Sequence, residues 1–218
     1  GHGRGVRAIG GRALRPRRRL ALAGSHALLL GWLLPFSGAR ARPGEANGRM
    51  PEPRHMQIFH VQELGLEVGV ENQPPWETRL SNETGRPTFV AESPPNYHPP
   101  TVITYASWPD EKVPADGMHQ MAGAAIRRAS ENFGVSRERS LAIPVRQAQY
   151  GDIQGYEGWF TGKADGVAMD VSVFVGQAPG KFPVVFNVYT TRGKLPNLTE
   201  VLRRAWTNVK YLPVGGVK

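Results

Sequence analysis

No cysteine occurs among the 218 residues. Its absence excludes a disulfide framework and a bacterial lipoprotein anchor, and it removes the thiolates on which most structural zinc sites depend. Histidine does not fill the gap. Beyond residue 41 only His55, His60, His98 and His119 remain, and no two stand at metalloprotease spacing. Acidic residues are missing from 1–41, where eight arginines lie: Arg4, Arg7, Arg12, Arg15, Arg17, Arg18, Arg19 and Arg40. That segment accounts for most of the +9 formal charge, since setting its eight cations aside leaves 19 against 18 acids. A nearly neutral remainder lacks the electrostatic footprint of phosphate binding, which argues against a nucleic-acid partner. There is no G-x-S-x-G, and Gly155, Gly158 and Gly162 are irregularly spaced with no helix after them. Neither a nucleophile elbow nor a phosphate loop is therefore expected, and the sequence names no catalytic set, cofactor or metal site.

What is present begins with an address. Arg15 to Arg19 form a basic region, Leu20 to Phe36 an apolar run, and Ala39-Arg40-Ala41 a small-residue cleavage site. Residues 1–41 read as a secretory signal, cut before Arg42. The apolar run has the length of a short membrane span, so an uncleaved anchor is the alternative. Residues 42–55, rich in Pro and Gly and without apolar periodicity, read as a leader. The implied location is extracytoplasmic or periplasmic, or membrane-tethered if the signal stays.

From Met56 apolar residues alternate. "MQIFHV" and "LGLEVGV" read as strands joined near Glu63. Pro74-Pro75 stops pairing, and Trp76 anchors the strand after it. "RPTFVAE" and "TVITYAS" are two more strands, flanking "SPPNYHPP", whose prolines favour extended polyproline conformation. A helix is expected from about Asp116, which would cap it. Met118, Ala122, Ala125, Ile126, Ala129 and Phe133 give it an apolar stripe, and Gly134 a left-handed stop. "SLAIPVRQAQY" reads as a strand in which Pro144 marks an edge or a bulge.

The stretch 154–194 is a meander. Val167, Met169, Val171, Val173 and Val175 alternate with Ala168, Asp170, Ser172 and Phe174, and Phe182, Val184, Phe186 and Val188 alternate likewise. "KADG" and "QAPGK" between them are turns, with Asp165-Gly166 a hairpin signal. Tyr156 and Phe160 share one face of the preceding strand, Glu157 and Trp159 the other. A last helix shows Leu198, Val201, Leu202, Ala205, Trp206 and Val209 on one face, with Asn197 and Glu200 at capping-box spacing. Strands, helix, four strands and helix make an α+β fold: a central antiparallel β-sheet with helices packed on its faces, over 56–212, with 213–218 as a tail.

The "PPW" approach to an early strand, the central helix, the strand opening "GYEGWF", and "NVYTTRGK" leading into "LTEVLRRAWTNVKYL" resemble the Mog1/PsbP-like superfamily, including DcrB-type exported proteins. The resemblance spans about 56–212. It implies an α/β/α sandwich and a role in accessory or interaction work, with no shared catalytic motif to transfer.

The candidate contact residues are Tyr97 and His98, in a rigid loop, and Trp108, exposed among turn residues in "SWPDEKVPADG". Glu157 and Asp170 form an acid pair if they face each other across the hairpin and are buried. The leading expectation is an exported, non-enzymatic accessory protein that binds a protein partner, in a membrane-associated complex. The alternatives are a small-ligand binder with a pocket between sheet and helix, and a hydrolase joining a nucleophile to His98 or His60.

Overall fold

Period-two alternation becomes ten strands in the computed structural model, which describes residues 56–213 apart from Thr84. The signal at 1–41, the leader at 42–55 and all but the first residue of the tail lie outside the described residues. The strands are β1 (Met56–Val61), β2 (Leu66–Glu71), β3 (Glu77–Ser81), β4 (Thr88–Glu92), β5 (Thr101–Ser107), β6 (Arg146–Tyr150), β7 (Ile153–Ala164), β8 (Val167–Gln177), β9 (Val184–Thr191) and β10 (Lys210–Tyr211). The helices are α1 (Met118–Asn132), α2 (Arg137–Leu141) and α3 (Thr199–Thr207).

All pairings are antiparallel. Seven strands form one sheet in the order β3-β4-β5-β9-β8-β7-β6, and three form a second in the order β1-β2-β10. The expected α+β sandwich is therefore present, with the β1–β2 hairpin set apart as its own small sheet. The break falls at Pro74-Pro75, which supplies no backbone donors to continue a ladder.

The large sheet is covered over much of both faces, so its central strands divide their side chains between two cores. Val171, Val173 and Val175 of β8 point at α1, where they meet Met118, Ala122, Ile126 and Phe160. Phe174 points the other way, with Phe186, Leu64, Leu66, Val68, Val201 and Trp206. α1 covers the first face, with α2 packed on α1; α3 and the small sheet cover part of the second. Two glycines of β7 let α1 approach: a Cβ on Gly158 would lie 2.9 Å from Ile126, and one on Gly162 would lie 2.5 Å from the Cβ of Phe133. The glycines that failed to fit a phosphate loop are packing positions.

Helix ends depart from expectation in instructive ways. α1 stops as read: Gly134 has φ 70°, its N–H bonds Glu131 O, and Val135 N–H bonds Ser130 O, a Schellman closure. It starts differently. Asp116 lies inside a 3₁₀ turn, Ala115–Gly117, and no side chain caps the helix. Likewise Asn197 sits within the 3₁₀ turn Leu195–Leu198, so it forms no capping box with Glu200. In both places the chain enters the helix by tightening, which satisfies early donors without a cap. The stretch read as one strand from Ser140 is the end of α2, then a connection, then β6. Ser136 caps α2, accepting from Arg139 N–H at 3.4 Å. "SPPNYHPP" turns back on itself through Tyr97 N–H to Pro94 O at 2.9 Å instead of running as extended polyproline. Asp165 and Gly166 have φ 49° and 81°, the two positive values that a type I′ hairpin requires.

Candidate functional site

The three contact candidates from the sequence do not converge. Tyr97 and His98 precede β5 and Trp108 follows it, and seven strand residues separate the two ends by about 23 Å. Tyr97 is only 5% exposed and so offers a partner almost no surface. Its ring meets Trp76 edge-on at 5.1 Å, and its hydroxyl donates to Glu71 at 3.3 Å. Arg204 of α3 reaches the other oxygen of Glu71 at 3.4 Å. This buried knot ties the loop, β2 and α3 together. Burial pushes the Glu71 carboxyl above its ordinary range, against the pull of Arg204 and Tyr97. Burial and the neighbouring Glu71 raise the Tyr97 hydroxyl in turn. Trp108 is half-buried against the α1-side core, with the guanidinium of Arg86 4.7 Å from its ring centre. His98 alone of the three is exposed.

The acid pair does not form. β7 and β8 align Thr161 with Asp170 and Glu157 with Phe174, so the two carboxylates sit four residues out of register. The Asp165-Gly166 hairpin dictates this alignment, because a two-residue turn fixes every pair beyond it. Asp170, 5% exposed, accepts from the Thr161 hydroxyl at 2.8 Å, Gly193 N–H at 2.7 Å and Leu195 N–H at 3.5 Å. It organises the turn leading to α3. Glu157 accepts from the Tyr150 hydroxyl at 2.8 Å. His60 lies 3.0 Å from Glu67, and His119 packs edge-on against Tyr156 at 4.9 Å. Ser130 and Ser140 bond each other at 2.6 Å and join α1 to α2. The carboxylates, hydroxyls and histidines proposed for chemistry are thus spread over the fold, and most are bound into it.

The sheet–α3 interface holds a void of about 10 Å³ beside Glu71, Trp76 and Tyr105, room for about one water. Between α3 and the sheet, a void of that size holds no small ligand. A wider, open concavity of about 550 Å³ lies instead at one end of the sheet, among the β6–β7 turn, the β8–β9 turn and β10.

The side chain that stands out is Trp159. It is 58% exposed, although a tryptophan in mid-strand normally buries its ring. Its face of β7 carries Glu157, Thr161 and Lys163, and Ser172 lies opposite it on β8. α3 stacks over Tyr150, Phe174 and Phe186 through Trp206 and leaves Trp159 uncovered. The sequence contained the signal: strand alternation puts Trp159 on a face with Glu157 and Lys163, away from Phe160. Trp108 drew attention because it stands in a loop, yet the exposed indole among the described residues is in a strand.

No protein-family model matches this sequence, and no curated protein matches it. Among solved structures, a protein of Bacteroides thetaiotaomicron VPI-5482 is similar with 8% identity and a TM-score of 0.47, covering 73% of this chain and 50% of that one. This chain therefore spans half the length of the Bacteroides protein. LpqN of Mycobacterium tuberculosis, involved in cell envelope biogenesis, is similar with 9% identity and a TM-score of 0.36, covering 75% of this chain and 82% of that one. Neither bears the Mog1/PsbP name. Among the described residues, no helix is long and apolar enough to cross a membrane.

Proposed function

We propose that this chain is an exported, non-enzymatic accessory protein that binds a protein partner in a membrane-associated complex outside the cytoplasm, and that the face carrying Trp159 makes the contact. The observation that carries the reading is the 58% exposed indole on a rigid, hydrogen-bonded strand. Tryptophan supplies a large contact area at little entropic cost and is enriched among residues that dominate interface energetics. Pairing with β8 along almost the whole length of β7 holds it in one orientation, so little order is lost on docking. The contact moves from Tyr97, His98 and Trp108 to Trp159 because the first is buried, the third is half-covered by Arg86, and Trp159 is the exposed indole among these four and the described tryptophans. The extracytoplasmic setting rests on residues 1–41.

The test is photocrosslinking of the full chain in its native envelope, with a benzophenone residue at Thr161. A discrete crosslinked species is expected, and Trp159→Ala should abolish it while leaving far-ultraviolet circular dichroism unchanged. Crosslinking that is absent, or indifferent to Trp159→Ala, refutes the proposal.

A further inference from the structure

We infer that the Trp159 face docks an acidic, extended protein segment, with carboxylates at both ends of a stretch of about six residues; this rests on the proposed partner-binding role of that face. Arg146 is opposite Glu157 in the β6–β7 ladder, so it shares the face of Trp159, as does Lys163. Both cations are exposed, and neither is in an ion pair among the described residues. The indole Nε1, the guanidinium and the ammonium are all donors with no acceptor capacity. Of the carboxylates on this face, Asp170 is engaged by Thr161, Gly193 and Leu195, and Glu157, opposite Arg146, has one oxygen engaged by the Tyr150 hydroxyl. Beyond Glu157 the patch presents an apolar ring between two cationic donors, which acceptors of a partner can meet.

Charge points the same way. Residues 56–213 hold 15 Lys and Arg against 16 Asp and Glu. Two unpaired cations on one face of a domain with nearly balanced charge are a local feature, not a share of a general basic surface. Their spacing sets the occupant's length. Arg146 lies diagonally from Trp159, about 7–8 Å away. Lys163 is four residues further along the strand, about 13 Å. The two cations are thus about 20 Å apart with the indole between them, the reach of about six extended residues. Arginine at one end can take a carboxylate in a bidentate fork, and lysine at the other takes one as a point charge.

The occupant is not a strand added to the edge of β7. That edge is closed on both sides of Trp159, by β6 up to Glu157 and by Phe133, whose carbonyl accepts Lys163 N–H at 2.7 Å. The segment lies across the face and is read by side chains.

The experiment uses the full chain with an oligoglutamate peptide as probe, and reads protection of Trp159 fluorescence from acrylamide. Trp159→Phe defines the background from the other four of the five tryptophans. Oligoglutamate should shield Trp159 and weaken with added salt, because the screening length falls from about 30 Å at 0.01 M to about 8 Å at 0.15 M. The double variant Arg146→Glu/Lys163→Glu should bind about tenfold more weakly or worse. Both side chains are exposed and unpaired, so the fold should survive, and circular dichroism checks it. Oligoglutamate that leaves Trp159 unshielded, or binds the double variant equally well, overturns the inference. So does shielding by phosphatidylglycerol vesicles but not by the peptide, which would make the occupant a lipid surface. Envelope crosslinks that vanish in Trp159→Ala but persist in the double variant would sink this inference alone and leave the protein-partner reading standing.

Discussion

Replacing Trp206 separates two quantities that the structure holds together. The side chain is fully buried, and it contacts Tyr150 at 5.0 Å, Phe186 at 5.9 Å and Phe174 at 6.3 Å between ring centres. Truncation to alanine removes a whole indole from the contact between α3 and the sheet, which costs about 3–5 kcal/mol at such sites. Yet Nε1 of Trp206 has no acceptor among the described residues. A buried donor left unpaired costs about 1–3 kcal/mol. Trp206→Phe removes the orphan donor along with part of the ring, so the two effects oppose and the net change should stay within about 1 kcal/mol. Urea unfolding of the full chain, followed by far-ultraviolet circular dichroism to avoid the altered fluorescence, measures both variants. With a slope of about 2 kcal/mol/M, the alanine variant should lose about 1.5–2.5 M in its midpoint. A loss under about 1 kcal/mol would mean that Trp206 does not join α3 to the sheet. A phenylalanine variant as unstable as the alanine one would mean that the indole N–H is satisfied after all.

Three further perturbations test other joints of the fold. Asp170→Ala strands the Gly193 and Leu195 N–H groups and should cost about 2–3 kcal/mol, while Asp170→Asn, which keeps an acceptor oxygen, should cost less; equal losses would deny the carboxylate its organising role. Gly162→Ala drives a methyl into Phe133 and should destabilise by about 1–3 kcal/mol in the same unfolding assay; a neutral result would show that α1 sits further from β7. Glu71 has a raised carboxyl pKa, so its ionisation is harder in the folded state than in the unfolded one. Its stabilising contribution is full below the ordinary value of 4.5 and is lost as pH rises through the raised folded value. The melting temperature of the native protein relative to Glu71→Gln should therefore decline as pH climbs above 4.5, and a flat or rising difference would contradict the assignment.

Local rules carried the strands because their causes are local. The valines of β8 alternate, so that strand declared both of its faces, and Asp165-Gly166 declared its turn. That turn also fixed the register, and with it the separation of Glu157 from Asp170; the information was present once pairs were counted outward from the hairpin. α2 escaped because five residues make little more than one turn, too short for a periodic stripe to show. The capping spacings of Asp116 and Asn197 were true in sequence and idle in structure. A short 3₁₀ turn can do the same work, and residue spacing does not tell the two apart.

Exposure is a different kind of fact. Alternation assigns Trp159 to the face opposite Phe160, but both faces of the large sheet are covered elsewhere. Whether a side chain on the second face is core or surface depends on where α3 lies, and that follows from contacts between residues far apart in the chain. Trp206 stacks on Phe174 and Phe186, and Arg204 reaches back to Glu71 on β2. These contacts hold α3 over β8 and β9 and the near end of β6, so the far half of β7 stays bare. The same packing that buries one tryptophan leaves the other in solvent. A change that let α3 slide toward β7 would cover Trp159 and remove the proposed contact without touching any of its residues.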